Sequence, residues 1–275
     1  LPYRIEGTNF TGSLIIGHST VGTLSSATYN TALGLGALDA ITQGDYNVAV
    51  GYDAGTNITT GSQNILVGRQ AGFSLTTGSD NVAVGHGALK QEDTHGKNVA
   101  VGYESLKNQD AGADAYNVAV GYNAGVTVTT GTHNTLLGGL AGYAINTGDQ
   151  NVLIGAEAGD ALSAGGYNVA VGFRALSTEN DHGTNVAIGK SALQTLDAGA
   201  NAFNVAIGYD AGLSMTTGLR NTLIGGNAGD AMTTGVDSVA VGHNALGALT
   251  IGHNNVAVGK DALATSVDGD YNVAV

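Results

Sequence analysis

The sequence predicts an all-β fold, a parallel β-solenoid or β-roll of about sixteen coils, and three observations support it. A segment reading Asn-Val-Ala-Val-Gly, or a near copy, recurs every 17 residues, with two steps of 19 residues at 98–117 and 185–204. Aliphatic residues and glycines keep fixed places within each repeat, and no segment keeps a helical period beyond a single turn. A repeat this short cannot bury a core alone, so each coil must stack on its neighbours.

The repeats divide the chain into two segments. Residues 1–12 form a non-repeating lead-in, and residues 13–275 form the predicted solenoid shaft. The last repeat begins at Asn272 and stops inside its coil. An uncapped solenoid would expose apolar strand edges, so we expect the sequence to be one piece of a longer protein.

The first element of each coil is a short strand. With the first residue of the repeat counted as position 1, position 2 is mostly Val and position 4 is always Ile, Leu or Val. Positions 2 and 4 lie on one face of a strand, and β-branched residues favour an extended backbone. We therefore expect these two side chains to be among the aliphatic residues that each coil buries.

Glycine marks the turns of the coil. Position 5 is Gly in every complete coil, including Gly51, Gly68, Gly121 and Gly208. Gly permits a positive φ or a close backbone approach where the chain turns. A second strand is predicted over positions 8–13, which hold a nearly constant Ala, such as Ala54, and a mostly aliphatic position 12. Gly near position 15 closes the coil, and it moves to position 16 at Gly96 and Gly183.

The Asn at position 1 predicts a ladder along the stack. Fourteen of the sixteen repeats begin with Asn, and representative members are Asn47, Asn64, Asn117 and Asn204. Like residues of stacked coils lie about 4.8 Å apart, so each side-chain amide is expected to bond to the Asn above and below it.

Composition excludes several classes of protein. Gly is abundant but does not fall at every third position, which excludes collagen. Aliphatic residues at fixed phases argue against general disorder, and no apolar run approaches the ~18 residues of a membrane helix, so no membrane insertion is expected. The formal net charge of −13 argues against nucleic-acid binding, and the absence of Cys excludes disulfides.

The coil also predicts self-association. A single coil buries few aliphatic side chains relative to the conformational entropy that it loses on ordering. Small residues at positions 8 and 9 would allow another chain to approach closely. We therefore predict a homo-oligomer, with a homotrimer as the preferred state.

The repeat resembles those of two known families. Residues 47–61, which read Asn-Val-Ala-Val-Gly-Tyr-Asp-Ala-Gly-x-x-Ile-Thr-Thr-Gly, are similar to the 17-residue repeats of bacteriophage tail fibres. The core Val-Ala-Val/Ile-Gly-x-x-Ala is also similar to the head repeat of trimeric autotransporter adhesins, which are left-handed parallel β-rolls of three chains with a shorter coil. The resemblance covers residues 13–275, and the length of the repeat favours the tail-fibre version.

The first resemblance implies a structural shaft in a virion tail fibre, which holds a distal receptor-binding tip for host attachment. Its partners would be further copies of itself, other tail or fibre proteins, and a host receptor or glycan reached through parts outside this sequence. The second implies a trimeric adhesin on a bacterial cell surface, in which the repeats bind directly. Neither resemblance implies an enzyme.

Residues suited to chemistry are sparse. No nucleophile triad, P-loop or calcium-binding repeat occurs, and we predict no catalytic, cofactor or metal site. Acidic residues such as Asp53 and Glu104 are expected on a solvated outer face. Histidines recur at two places in the repeat, at position 6 (His18, His86 and His243) and at the turn with the displaced Gly (His95 and His182). Such a His at the axis of a trimer could form a three-His metal site, while the simpler expectation is an exposed turn residue.

Two columns of side chains leave a ligand-binding alternative open. Aromatic residues recur at position 6, as in Tyr52, and at the ends of coils, as in Tyr46. They could bind sugar, or they could stack on each other, with Tyr46 next to Tyr52, and cover the turn. Thr-Thr-Gly segments such as the one at Thr59 suggest an ice-binding row, which acidic residues such as Asp93 interrupt.

The two 19-residue coils are similar to each other and lie 87 residues apart. Their extra residues are predicted to form protruding loops at the same corner of the coil. The candidate surface-contact residues in these loops are Asp114, Ala115, Ala200 and Asn201.

Overall fold

The computed structural model of the chain describes residues 13–16 and 26–275. The predicted lead-in, residues 1–12, and the position-6 histidine His18 lie outside this part of the chain. The fold is an all-β parallel β-solenoid, as predicted, and its described residues form two compact units, one ending at Asn134 and one beginning at Thr135. In the described part, no helix is long and apolar enough to cross a membrane.

In the first unit, seven strands pair in sequence order as one parallel sheet. They are β1 (Leu14–Ile16), β2 (Thr31–Leu33), β3 (Val48–Val50), β4 (Ile65–Val67), β5 (Val82–Val84), β6 (Val99–Val101) and β7 (Val118–Val120). Each residue pairs with the residue one repeat away, such as Val82 with Val99. The first 19-residue step keeps the same register, since Val99 pairs with Val118. Its extra residues are therefore accommodated outside the sheet.

The second unit repeats this arrangement with nine strands. They are β8 (Thr135–Leu137), β9 (Val152–Ile154), β10 (Val169–Val171), β11 (Val186–Ile188), β12 (Val205–Ile207), β13 (Thr222–Ile224), β14 (Val239–Val241), β15 (Val256–Val258) and β16 (Val273–Ala274). The second 19-residue step also preserves the register, because Val186 pairs with Val205.

In the described part of the chain each coil contributes one strand of two or three residues, so the predicted second strand over positions 8–13 is wrong. That part of the coil is a series of turns, as in residues 51–60. Its backbone enters the left-handed region at position 7, as at Asp53 with φ 53°, and at position 9, as at Gly55 with φ 55°. A strand requires negative φ throughout, so these residues cannot belong to one.

The faces of the strand are the reverse of the expected ones. Position 3 points inward, and Ala49 and Leu66 at this position are fully buried. Positions 2 and 4 point outward, so Val48 and Val50 are half-buried and Ile65 is exposed. The interior of the coil therefore holds position 3 together with the fully buried residues of positions 8 and 12, such as Ala54.

The Gly at position 5 has both a positive φ and a close approach to the neighbouring backbone, as expected. Gly51 and Gly68 have φ of 140° and 135°, and Gly121 and Gly208 have φ of 147° and 145°. A Cβ atom built on Gly51 would lie 2.5 Å from the carbonyl oxygen of Gly68 in the next coil. The chain turns here with the backbones of successive coils in contact, which only Gly allows.

Large and small residues complement each other in the interior. Wherever position 3 is Leu, position 9 is Gly; the pairs are Leu66 with Gly72, Leu136 with Gly142, Leu153 with Gly159, and Leu223 with Gly229. Where both positions are small, adjacent coils fill the space. A Cβ on Gly55 would lie 2.6 Å from Cδ1 of Leu66 in the next coil and 3.2 Å from Cδ2 of Leu38 in the preceding coil.

Candidate functional site

The Asn ladder is present and carries more bonds than the sequence predicted. Asn64 donates from its backbone N–H and from Nδ2 to Oδ1 of Asn47, both at 3.0 Å. Its Nδ2 also donates to the carbonyl oxygen of Gly78 at 2.9 Å, which fixes the closing turn of its own coil. Its Oδ1 in turn accepts from the backbone N–H and Nδ2 of Asn81, at 3.0 and 3.1 Å. The ladder therefore joins successive coils inside the core, where these Asn side chains are fully buried.

The 19-residue coils keep the ladder with adjusted partners. Asn117 donates its backbone N–H to Oδ1 of Asn98, 19 residues before it, at 3.2 Å. Asn204 makes the same bond to Oδ1 of Asn185 at 3.2 Å. The side chain of Asn117 also donates to Oε1 of the buried Gln109 at 2.6 Å. The ladder is thus a structural element in both units and offers no group to a ligand.

The outward face of each sheet is an apolar stripe, formed by positions 2 and 4 of the strands. None of these side chains is charged, although the chain carries a net charge of −13. Leu33, Ile65 and Val120 are 48%, 45% and 39% exposed, which is high for large aliphatic side chains in a regular structure. At ~4.8 Å per strand the stripe runs about 30 Å in the first unit and about 40 Å in the second. Contiguous apolar surfaces are uncommon on monomeric soluble proteins, which makes the stripe a candidate interaction surface.

Exposed aromatic residues form columns beside this stripe. The ring contacts lie within a column, because Tyr29 stacks on Tyr46 with centroids 5.0 Å apart and Tyr103 stacks on Tyr122 at 5.3 Å. The expected contact between columns, Tyr46 with Tyr52, is not among the ring contacts of the described residues. Stacked rings cover each other's faces, which supports the structural role over sugar binding.

The Thr column is bonded internally. The hydroxyl groups of Thr59 and Thr76 donate to the carbonyl oxygens of the next coil, Thr76 at 3.2 Å and Asp93 at 3.1 Å. Thr216 and Thr233 do the same in the second unit. The single donor of each of these hydroxyls is therefore engaged within the protein, and only their lone pairs remain for water.

The loops of the 19-residue coils only partly match the predicted contact sites. Ala200 and Asn201 are exposed, and Oδ1 of Asn201 accepts from the backbone N–H of Gly183 at 3.1 Å. Asp114 is half-buried and forms an ion pair with Lys97 at 2.6 Å, which holds the pKa of its carboxyl below the usual value. Ala115 is fully buried, so the prediction of a surface-contact residue is wrong there. The loop turns Ala115 inward, where its carbonyl accepts from the N–H of His133 at 2.7 Å.

A second feature of the irregular corners escaped the sequence analysis. Position 12, which is aliphatic in most coils, is Glu92 in one coil with a displaced Gly and Glu179 in the other. Both side chains are fully buried, whereas Asp53 and Glu104 are only half-buried, as expected of an outer face. The signal was present in the sequence as Glu-x-x-His-Gly, repeated 87 residues apart at the core position.

Burial changes the protonation of these carboxyl groups. Burial raises the pKa of Glu92 to about 7, opposed by a hydrogen bond from the backbone N–H of His95 and reinforced by the carboxylates of Asp110 and Asp93. Burial likewise raises the pKa of Glu179. Oε2 of Glu92, Oε1 of Glu179 and Nδ1 of His182 have no hydrogen-bond partner. A buried polar atom without a partner is costly. Other such atoms in the described part of the chain belong to half-buried residues, whereas Glu92 and Glu179 are fully buried.

No chemical site is formed by the representative repeat residues. Asn47, Asn64, Asn117 and Asn204 hold coils together, Gly51, Gly68, Gly121 and Gly208 turn the chain, and Ala54 fills the interior. Comparison with protein-family models, with curated proteins and with solved structures finds no match to this chain.

Proposed function

We propose that the chain is a structural shaft segment of a trimeric bacteriophage tail fibre, which holds a receptor-binding tip away from the particle. The observation that supports this proposal is the apolar stripe on the outward face of the strands. A stack of nearly identical coils resists deformation through its ladder of buried Asn, and it has little chemistry of its own. These are the properties of a spacer, and we propose no enzymatic activity.

The stripe favours a second copy of the same chain as its occupant. Its side chains are spaced along the stripe by the distance between successive coils. A second copy that lies parallel has the same spacing, so each Val of one stripe could pack against the side chains of the other along its whole length. The stripe is also uncharged, whereas other faces of two chains with a net charge of −13 repel each other. Exposed Tyr columns beside it, such as Tyr46 and Tyr122, suit the border of an interface. The trimeric state follows from the resemblance to tail fibres and adhesins.

The first prediction concerns this association. We expect the purified chain to have a mass of three times 27.3 kDa in size-exclusion chromatography with light scattering. The double substitution Val67→Lys and Val84→Lys should give folded monomers, because it places desolvated charges in the interface. The matched control, Thr60→Lys and Thr77→Lys, adds the same charge at exposed positions away from the strands and should leave the trimer intact. A folded monomeric wild-type chain would contradict the proposal.

The second prediction separates the tail-fibre proposal from the alternative of a bacterial trimeric adhesin. Antibodies raised against the purified chain should label virions along their tail fibres in immunogold electron microscopy of the source material. Fab fragments of the same antibodies, bound to the shaft, should reduce adsorption less than removal of the distal tip does. Label on the bacterial envelope, with no label on virions, would contradict the tail-fibre proposal and favour the adhesin.

A further inference from the structure

The two corners with a displaced Gly share a set of potential ligands that ordinary coils lack. Glu92 and His95 in one corner correspond to Glu179 and His182 in the other. Oε1 of Glu92 lies 3.9 Å from Nδ1 of His95, and Oε1 of Glu179 lies 3.7 Å from Nδ1 of His182. These separations are too long for hydrogen bonds. The same pair of residues therefore occurs twice without a hydrogen bond between the two side chains.

The first corner adds a third ligand. Donor atoms of Glu92, Asp93 and His95 all lie within 4.8 Å of one another. Zn²⁺ binds N and O ligands at about 2.0–2.2 Å, so two ligands of a tetrahedral ion lie roughly 3.3–3.5 Å apart. The separation between Glu92 and His95, 3.9 Å, is about half an ångström longer than this, and Asp93 lies within the 4.8 Å limit, so rotation of the side chains would bring the three ligands together. Asn180 stands in the second corner where Asp93 stands in the first.

Unpartnered buried atoms point to a ligand independently of this spacing. Glu92 and Glu179 are fully buried, yet each has one carboxyl oxygen without a hydrogen-bond partner. In the second corner the unpartnered Oε1 of Glu179 faces the unpartnered Nδ1 of His182. A cation between these atoms would satisfy both. In the first corner, Nδ1 of His95 contacts Oγ1 of Thr94 at 3.0 Å, and a bound ion would replace that contact.

The surroundings suit a cation that can reach the site from solvent. The side chain of His95 is 30% exposed and that of His182 is 34% exposed, so the outer edge of each corner is open to water. Asp110 lies near enough to Glu92 to influence its ionisation, and Asp197 does the same for Glu179. The nearby cation Lys97 is paired with Asp114.

We propose that Glu92, Asp93 and His95 form a binding site for a divalent transition-metal ion of the Zn²⁺ class, completed by water, and that Glu179 and His182 form a weaker copy. An imidazole together with carboxylates favours Zn²⁺, Co²⁺ or Ni²⁺ over Mg²⁺ and Ca²⁺, which prefer oxygen ligands alone. Each site lies within one coil, so it does not depend on trimer formation. A metal there would brace the corner that precedes each 19-residue coil.

The third prediction tests this site with the chain stripped of metal by a chelator. Titration with ZnCl₂ in a calorimeter at pH 8 should show one tighter and one weaker class of site. Asp93→Asn should weaken the tighter class at least about tenfold, and Asn180→Asp should strengthen the weaker class by a similar factor. Co²⁺ added to the same variants should show matching changes in its visible absorption spectrum, which reports the ligand set.

Controls keep the test independent of folding. His133→Asn alters another turn His of the first unit, which stacks on Tyr116, and should leave both classes of site unchanged. Glu92→Gln and His95→Asn should each abolish the tighter class while circular dichroism shows the fold retained. Asp93 is only half-buried, so Asp93→Asn tests the site even if a buried variant unfolds. Absence of Zn²⁺ binding by the wild-type chain, or binding that none of these substitutions alters, would overturn the proposal.

Discussion

Replacing Asn64 with Ala is expected to lower the free energy of unfolding by about 3–5 kcal/mol, because two buried backbone groups lose their partners. The N–H of Asn81 loses its acceptor, Oδ1 of Asn64, and the carbonyl of Gly78 loses its donor, Nδ2 of Asn64. The site is fully buried, so water does not replace these bonds. Urea denaturation followed by circular dichroism measures the loss. Hydrogen exchange should locate the lost protection at Asn81 and in adjacent coils.

Asn64→Ser is the matched control for this prediction, since the chain itself carries a Ser in the ladder. Oγ of Ser238 accepts from the backbone N–H of Asn255 at 3.2 Å, and its own N–H donates to Oδ1 of Asn221 at 3.0 Å. A Ser hydroxyl therefore preserves the acceptor for the N–H of the next coil. It has only one hydrogen to donate, so it cannot replace both hydrogen bonds that Nδ2 of Asn64 donates. Asn64→Ser should cost about half as much as Asn64→Ala, roughly 1.5–2.5 kcal/mol. Equal costs for the two variants would show that the acceptor role of Asn is unimportant.

Gly225→Ala is expected to destabilise the second unit by about 4 kcal/mol or more, whereas Gly226→Ala should change stability by less than about 1 kcal/mol. Gly225 has φ 139°, and a Cβ atom there would lie 2.6 Å from the carbonyl carbon of Gly242 in the next coil. Strain and overlap with the backbone act together, and a shift of Gly242 would disturb its own contact with Gly259. The outward neighbour Gly226 is free of both constraints, because its Cβ would first meet Cδ2 of His243 at 3.6 Å.

The two variants each add one methyl group, at adjacent positions of the chain. Their comparison therefore isolates the effect of the backbone geometry at the turn. Thermal unfolding of both proteins is the measurement. A loss for Gly225→Ala no greater than that for Gly226→Ala would contradict the close approach of coils at position 5.

The sequence alone was sufficient for the repeat, the parallel stack, the Asn ladder and the Gly turns, because these features depend on backbone constraints that recur in every coil. At position 1 only a side chain with both an acceptor and a donor makes all the bonds of Asn64. At position 5 only Gly accepts the φ of Gly51. Such requirements place the same residue type at the same position of every coil. A chain with many coils repeats these residues often enough for the pattern to be recognised from one sequence.

The direction of the strand faces was not predictable from periodicity. In Val48-Ala49-Val50 all three residues are apolar, so hydrophobicity suggests that the larger Val side chains are buried. The coil is too narrow for that arrangement. Its interior accepts Ala at position 3, or a Leu such as Leu66 if Gly72 stands opposite, and the Val side chains remain outside. The small residues at positions 8 and 9 fill this interior and do not form the surface for another chain.

The second strand was predicted wrongly, and the buried carboxyl groups were not predicted, for different reasons. Residues such as Asp53 and Leu89 adopt a left-handed backbone because the coil turns tightly there, and their residue types do not predict this conformation. Glu92 and Glu179 did leave a signal, because they break the aliphatic pattern of position 12. Attention to residues that interrupt a repeat, as well as to those that compose it, would have identified the candidate metal site.

The matching of Leu with Gly in the interior has a consequence for how the coils reach their native order. The strands are nearly interchangeable, so a coil could stack on the wrong neighbour with all its backbone bonds formed. The cores are not interchangeable, since the space beside Gly55 is filled by Leu38 from one side and Leu66 from the other. A coil stacked out of order would meet either a void or a collision there, at a cost of ~1–5 kcal/mol. The differences between core residues thus specify which coils stack on each other during folding, although the strands themselves are nearly identical.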